Sequence, residues 1–202
     1  MTNPSLVIIG SSAGGPRALQ AIFSDLPSLN AIIVLIQHMP KFVNQSLTNH
    51  LDAVTEMSVR LSEEGDILSR GTVYVAPSEK HLIFERNRVI HLTDDDKVNY
   101  VRPSVDITMM SVHKLSERRI IGIILTGMGK DGAAGLIHLK HLGGITMAQN
   151  EETSAVFGMP KEAIRTGCVD FVMTPNQMRD KLIALVGLID LQTTNSASGS
   201  RS

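Results

Sequence analysis

Apolar residues along this chain gather in short unbroken runs separated by longer amphipathic stretches. Leu6–Ile9, Ala31–Leu35, Ser58–Leu61, Thr72–Ala76, Ile120–Leu125, Ile145–Ala148 and Val169–Val172 are predicted strands. Runs such as AIIVLI and IIGIIL do not alternate with polar residues, which is the pattern of parallel strands covered on both faces. They are also far too short to span a bilayer. Helices are predicted between them. Pro16–Ser24 opens on a proline, a good first helical residue, and Phe42–Ala53 follows Pro40. Ser104–Leu115 has Ser104 as N-cap and Asp106 in its first turn, with Val105, Met109 and Val112 on one face. Gly132–Leu142 stops at a glycine pair. Thr174, Pro175 and Gln177 form a capping box for a final helix, Pro175–Leu191.

One stretch breaks the alternation. His81–Leu92 reads as an antiparallel hairpin turning through Arg86-Asn87. The fold class is therefore α/β: a doubly wound, mostly parallel sheet with helices on both faces and a small antiparallel hairpin. Residues 1–191 form one domain, and the small polar residues of 192–202 are expected to be a disordered tail. In such sheets ligands bind beyond the carboxyl ends of the strands.

Composition narrows the choice of chemistry. Lys+Arg is 19 against 20 Asp+Glu, and aromatics are only 3% of the 202 residues. This balance speaks against nucleic acid as a partner and against a polybasic membrane binder. Cys168 is the only cysteine, so no internal disulfide forms, as expected in a reducing cytoplasm. The opening MTNPSLVIIG lacks a basic segment and a long apolar core, so no signal peptide and no membrane insertion are expected.

Three predicted strand ends carry candidate chemistry. VIIGSSAGG fits G-x-S-x-G as Gly10-Ser11-Ser12-Ala13-Gly14, a strand-to-helix turn that can expose a serine. The same residues also suit a plain tight turn or a phosphate cradle. AIIVLIQHMP delivers His38 just past a buried strand, as a base or simply as a satisfied histidine at a sheet edge. IIGIILTGMGKDG delivers Asp131, as a histidine-orienting carboxylate or as the N-cap of the next helix. Together they offer a nucleophile, a base and an acceptor for the base. Their order along the chain differs from that of α/β-hydrolases.

Taken together, IGSSAGGPRAL, LIQHMP, RPSVD, LTGMGKDGAAGL and ETSAVFGMPKEAI resemble the catalytic domain of the chemotaxis protein-glutamate methylesterases, the CheB family. The resemblance runs from about Leu6 to Ile189. It implies a serine hydrolase that removes methyl groups from glutamate side chains on the cytoplasmic helices of chemoreceptors, releasing methanol. Family members also deamidate selected receptor glutamines. Carried over by motif, Ser12 is the nucleophile, His38 the general base and acid, and Asp131 the orienting carboxylate. The backbone N–H groups of Met128 and Ala13 are oxyanion donors. No metal or cofactor is implied. Ala13 stands where the family often has threonine, which removes a hydroxyl and keeps the N–H. Family members usually carry an N-terminal receiver domain, whereas here the first strand begins almost at Met1, so no receiver domain is expected within these residues; the chain reads either as a standalone esterase or as an excised domain, with a separate receiver protein as a candidate partner.

Two other functions remain in view: an inactive module that binds receptors or signalling proteins, and a nucleotide-binding protein using Gly10–Gly15. Ser11 is the rival nucleophile, expected to face the packed side of its turn. His138 and His141 are three apart on a helix and read as a solvated face rather than a metal site. Arg17, Lys41, Arg102 and Lys130 are either a basic rim for an acidic helix or scattered surface charges. His81, His91 and His113 have no chemical context in the sequence.

Overall fold

A computed structural model of the protein describes residues 3–86, 88–114 and 119–189. The elements are β1 (Ser5–Ser11), α1 (Gly15–Phe23), β2 (Ala31–Gln37), α2 (Asn44–Asp52), β3 (Ser58–Leu61), β4 (Thr72–Val75), β5 (His81–Glu85) and β6 (Val89–Thr93). They continue with α3 (Val105–Met110), β7 (Ile120–Ile124), α4 (Ala133–His141), β8 (Ile145–Gln149), α5 (Met159–Arg165), β9 (Phe171–Met173) and α6 (Pro175–Val186). A 3₁₀ turn, Lys41–Val43, leads into α2.

Seven strands form one sheet in the order β3-β4-β2-β1-β7-β8-β9, with every pairing parallel. The chain winds outward from β1 through β2, crosses back, and winds outward again from β7. The direction therefore reverses beside β1, and the crevice at such a switch point is where ligands bind.

The continuous apolar runs follow from burial on both faces. Val7 and Ile9 of β1 join a cluster with Leu19, Phe23, Leu51 and Leu182, from α1, α2 and α6. Leu6 and Ile8 face the opposite cluster with Val105, Met109, Leu136 and Met159, from α3, α4 and α5. The antiparallel pair β5–β6 stands outside the sheet and packs Leu82, Phe84 and Ile90 into this second cluster. Among the described residues, no helix is long and apolar enough to cross a membrane.

Several boundaries differ from the sequence-based expectation. The last helix ends at Val186 because Gly187 turns the chain with a positive φ (72°) and an extended ψ, after which Ile189 N–H donates to the Ser28 carbonyl (2.9 Å). The final strand starts at Phe171, because Asp170 first binds Thr146: its carboxylate accepts from Thr146 N–H (3.0 Å). α3 ends at Met110, where the Ser111 hydroxyl accepts from Phe84 N–H of β5 (2.9 Å). The helix α5 was not anticipated: seven residues are too few for a legible period. Asn87 of the hairpin turn, Leu115, Leu191 and the tail at 192–202 lie outside the described residues.

Candidate active site

The loops leaving β1, β2 and β7 emerge at one edge of the sheet. Ser11 and Gln37 are register partners, and His38 N–H donates to the Ser11 carbonyl (3.0 Å). Adjacent strands run about 5 Å apart, so Ser12 and His38 leave the sheet as neighbours. The buried Gln37 fastens the two turns together. Its amide donates to the carbonyls of Ser12 (2.9 Å) and His38 (2.8 Å), and its oxygen accepts from the Ser11 hydroxyl (2.7 Å). Ser11 is thus fully buried and engaged, while Ser12 keeps partial exposure.

The His38 Nε2 lies 3.0 Å from Asp131 Oδ2, with side chains 11% and 3% exposed. Facing an ionised carboxylate, Nε2 carries the proton and donates it, which leaves Nδ1 as the basic nitrogen.

Asp131 does not cap the helix that follows it. Its carboxylate reaches across to the start of α3 and accepts from the Ser104 hydroxyl (2.7 Å), Val105 N–H (2.7 Å) and Asp106 N–H (3.1 Å). The N–H groups at the start of α4 are taken by Asp106 instead, from Gly132 (2.9 Å) and Gly135 (2.7 Å). The two loops therefore exchange carboxylates, and each pins the other's helix. The Asn99 amide bridges the pair, donating to Asp106 (3.0 Å) and more weakly to Asp131 (3.4 Å). Their ionisation differs accordingly. Burial pushes the Asp131 carboxyl up, but the hydrogen bonds from His38, Ser104 and Val105 N–H outweigh it and leave it below the ordinary carboxylate value. Asp106 is raised, by burial first; the Gly135 N–H opposes this, and the nearby Asp131 charge adds to it.

The Gly127–Met128 peptide borders the serine. Gly127's carbonyl accepts from Gly158 N–H (3.1 Å) and Met159 N–H (2.8 Å) at the start of α5. In a trans peptide the N–H points opposite to the carbonyl, so Met128 N–H faces away from α5. Among the described residues, neither Met128 N–H nor Ala13 N–H finds an acceptor in the protein. The Met128 side chain itself is 79% exposed. Thr126 braces the turn from below: its hydroxyl donates to the Ala13 carbonyl (2.9 Å) and accepts from Val156 N–H (2.9 Å).

A β-carbon at Gly127 would lie 2.8 Å from the Ser12 β-carbon and 2.3 Å from the Met159 sulfur. The methionine can yield, but the serine backbone is held by Gln37. Gly127→Ala is therefore expected to cut turnover at least about 100-fold, while costing only about 1–3 kcal/mol of stability. Turnover and urea melts on one preparation check both numbers.

The four basic residues line three separate clefts. Lys41 and Arg102 line a cleft with His38, Arg17 lines another with Glu152, and Lys130 lies beside Asn99 and Asp106. His138 donates through Nε2 to the Val112 carbonyl (2.8 Å). His81 is buried and accepts through Nδ1 from Ser104 N–H (3.1 Å), helping to seat the start of α3. Gln37, Asn99, Ser104, Asp106 and Thr126 escaped the sequence reading as site residues. A polar residue ending an unbroken apolar run was the available sign for Gln37.

The family model described as CheB methylesterase matches residues 7–182. A protein from Pyrococcus horikoshii named "Protein-glutamate methylesterase/protein-glutamine glutaminase" is 41% identical over 187 residues, 91% of this chain and 51% of that protein. A Thermotoga maritima protein of the same name is 42% identical over 185 residues, 90% of this chain and 54% of that protein. The chain thus spans about half the length of these relatives. The crystal structure of the Thermotoga maritima CheB methylesterase catalytic domain superposes with a TM-score of 0.86 at 42% identity, over 91% of this chain and 99% of that one.

Proposed function

Because this chain belongs to the CheB methylesterase family, we propose that it is a serine hydrolase that removes methyl esters from glutamate side chains on the cytoplasmic helices of chemoreceptors. The observation that carries this reading is the His38–Asp131 pair at the end of β2, beside Ser12 at the end of β1. The buried, hydrogen-bonded carboxylate fixes the imidazole with Nδ1 free to act as base.

In the proposed mechanism the Ser12 Oγ attacks the ester carbonyl carbon while His38 Nδ1 takes the hydroxyl proton. The carbonyl oxygen becomes an oxyanion and accepts from Met128 N–H and Ala13 N–H. The intermediate collapses, the C–O bond to the methoxy group breaks, and His38 returns the proton to release methanol. Water then attacks the acyl-enzyme and gives its proton to His38. Collapse of the second intermediate leaves a glutamate carboxylate and a restored Ser12 hydroxyl. A glutamine side chain follows the same path, with ammonia leaving in place of methanol. Imidazolium forms twice per cycle, each time beside the Asp131 charge, which lowers both barriers.

The test is stoichiometric. Receptor membranes carrying methylated glutamates are expected to yield one methanol per new carboxylate on addition of the protein. New carboxylates without methanol would point to deamidation alone, and neither product would overturn the reading.

A further inference from the structure

A cleft of about 360 Å³ opens beside His38, bounded also by Lys41, Glu79, Lys97, Tyr100 and Arg102. Its walls carry three cationic side chains against one carboxylate. Glu79 offsets little of this: its one ion pair among the described residues, with Lys41 at 3.8 Å, joins two largely exposed side chains. Lys97 has no ion-pair partner among the described residues. Arg102 is fixed in place by donating to the backbone carbonyls of Asp94 (2.6 Å) and Asp95 (2.9 Å). Its Nε–H is shielded from solvent and meets no acceptor among the described residues. A guanidinium held by two backbone carbonyls in the wall of a cleft that two lysines also line is an arrangement that attracts an entering anion.

The cleft is also rigidly coupled to the reaction centre. Tyr100, 97% exposed, is carried on a tight turn in which it and Asn99 both have positive φ (66° and 52°). The turn is closed by paired hydrogen bonds between Val98 and Val101 (3.2 and 3.0 Å). The Asn99 side chain ties it to Asp106 and Asp131.

We propose that this cleft is a carboxylate subsite, taking the side chain of an acidic residue that neighbours the glutamyl ester on the same substrate helix. The proposal rests on the methylesterase reading. On a helix, residues three or four positions away are the ester's neighbours, about 5–6 Å between β-carbons. A carboxylate there would reach the cleft while the ester meets Ser12.

Binding to the Ser12→Ala protein separates this proposal from the activity itself, since no turnover is needed. The probes are fluorescein-labelled helical peptides with one glutamate methyl ester and carboxylates three and four positions to either side, each replaced in turn by alanine. One replacement is expected to weaken binding about tenfold. Lys97→Ala is expected to weaken the parent peptide by a similar factor, with no further loss on the peptide that already lacks that carboxylate. Lys97→Arg restores binding, and added salt weakens only the parent. Equal binding of all peptides overturns the subsite, as does an equal Lys97→Ala penalty on parent and carboxylate-free peptides. A native protein that releases no methanol overturns the activity reading instead, and the peptide comparison still decides the subsite.

Discussion

Replacing His38 by alanine is expected to lower methanol release from methylated receptors by about 10⁴- to 10⁶-fold, with the melting temperature nearly unchanged. The size follows from the sequence of proton transfers. Without the imidazole, Ser12 must lose its proton to water in the first step and methoxide must leave unprotonated. Only the oxyanion donors and substrate binding remain. The stability expectation follows from the Asp131 contacts. Losing His38 removes one hydrogen bond from a carboxylate that keeps Ser104 Oγ, Val105 N–H and Asp106 N–H within 3.1 Å. The double variant Ser12→Ala/His38→Ala is expected to be no slower than either single variant, because the two residues act as one unit. Rates of all three against native protein, on one membrane preparation, check this. A His38→Ala protein within tenfold of native would remove His38 from the mechanism.

Asp131→Asn is expected to damage both chemistry and fold. An amide at this position no longer fixes the imidazole with Nε2 protonated, and the loss in rate is expected to be about 10⁴-fold. It also offers a weaker acceptor, and an NH₂ group, to donors that already point at it. The cost is about 3 kcal/mol, or about 6–12 °C in Tm for a chain of this length. The pH dependence has a definite sign. The folded Asp131 value lies below the ordinary one. Its stabilisation is therefore complete above the unfolded value of about 4 and is lost as pH falls through the folded value. The Tm gap between native and Asp131→Asn protein is expected to persist down to about pH 4 and to close only in stronger acid. Asp106 acts oppositely. Its folded value is raised, so it takes up a proton first on acidification and relieves an unfavourable charge. Thermal melts from pH 7 to pH 3 on both proteins read the two effects, and a gap that closes above pH 5 would contradict the assignment of Asp131.

Much of this arrangement is visible in the sequence because of how parallel sheets are built. Ile8–Ile9 and Ile32–Ile36 are apolar without interruption since helices cover both faces, and such runs end abruptly where the sheet ends. The turns that carry Ser12 and His38 are therefore located by the burial pattern, while the choice of these two side chains over their polar neighbours Ser11 and Gln37 rests on the family motif. Asp131 was marked too, but its partner was not. Local logic assigns an acidic residue before α4 to α4, whereas its carboxylate reaches the start of α3, 25 residues back in the chain at Asp106. That exchange with Asp106 is a tertiary contact between two loops, and no periodicity reports it. The same holds for Gln37, whose three hydrogen bonds join β1 to β2. It holds also for α5, which matters because its first N–H groups hold the Gly127 carbonyl. Burial patterns locate strand ends, but the contacts that orient a site arise only when those ends are brought together.

The most direct test of the account is methanol release from methylated receptor membranes, with native protein and Ser12→Ala measured side by side. The expected result is release by the native protein and none above background by the variant. Equal release by both would contradict the account, because the buried Ser11, already bonded to Gln37, has no route to the ester.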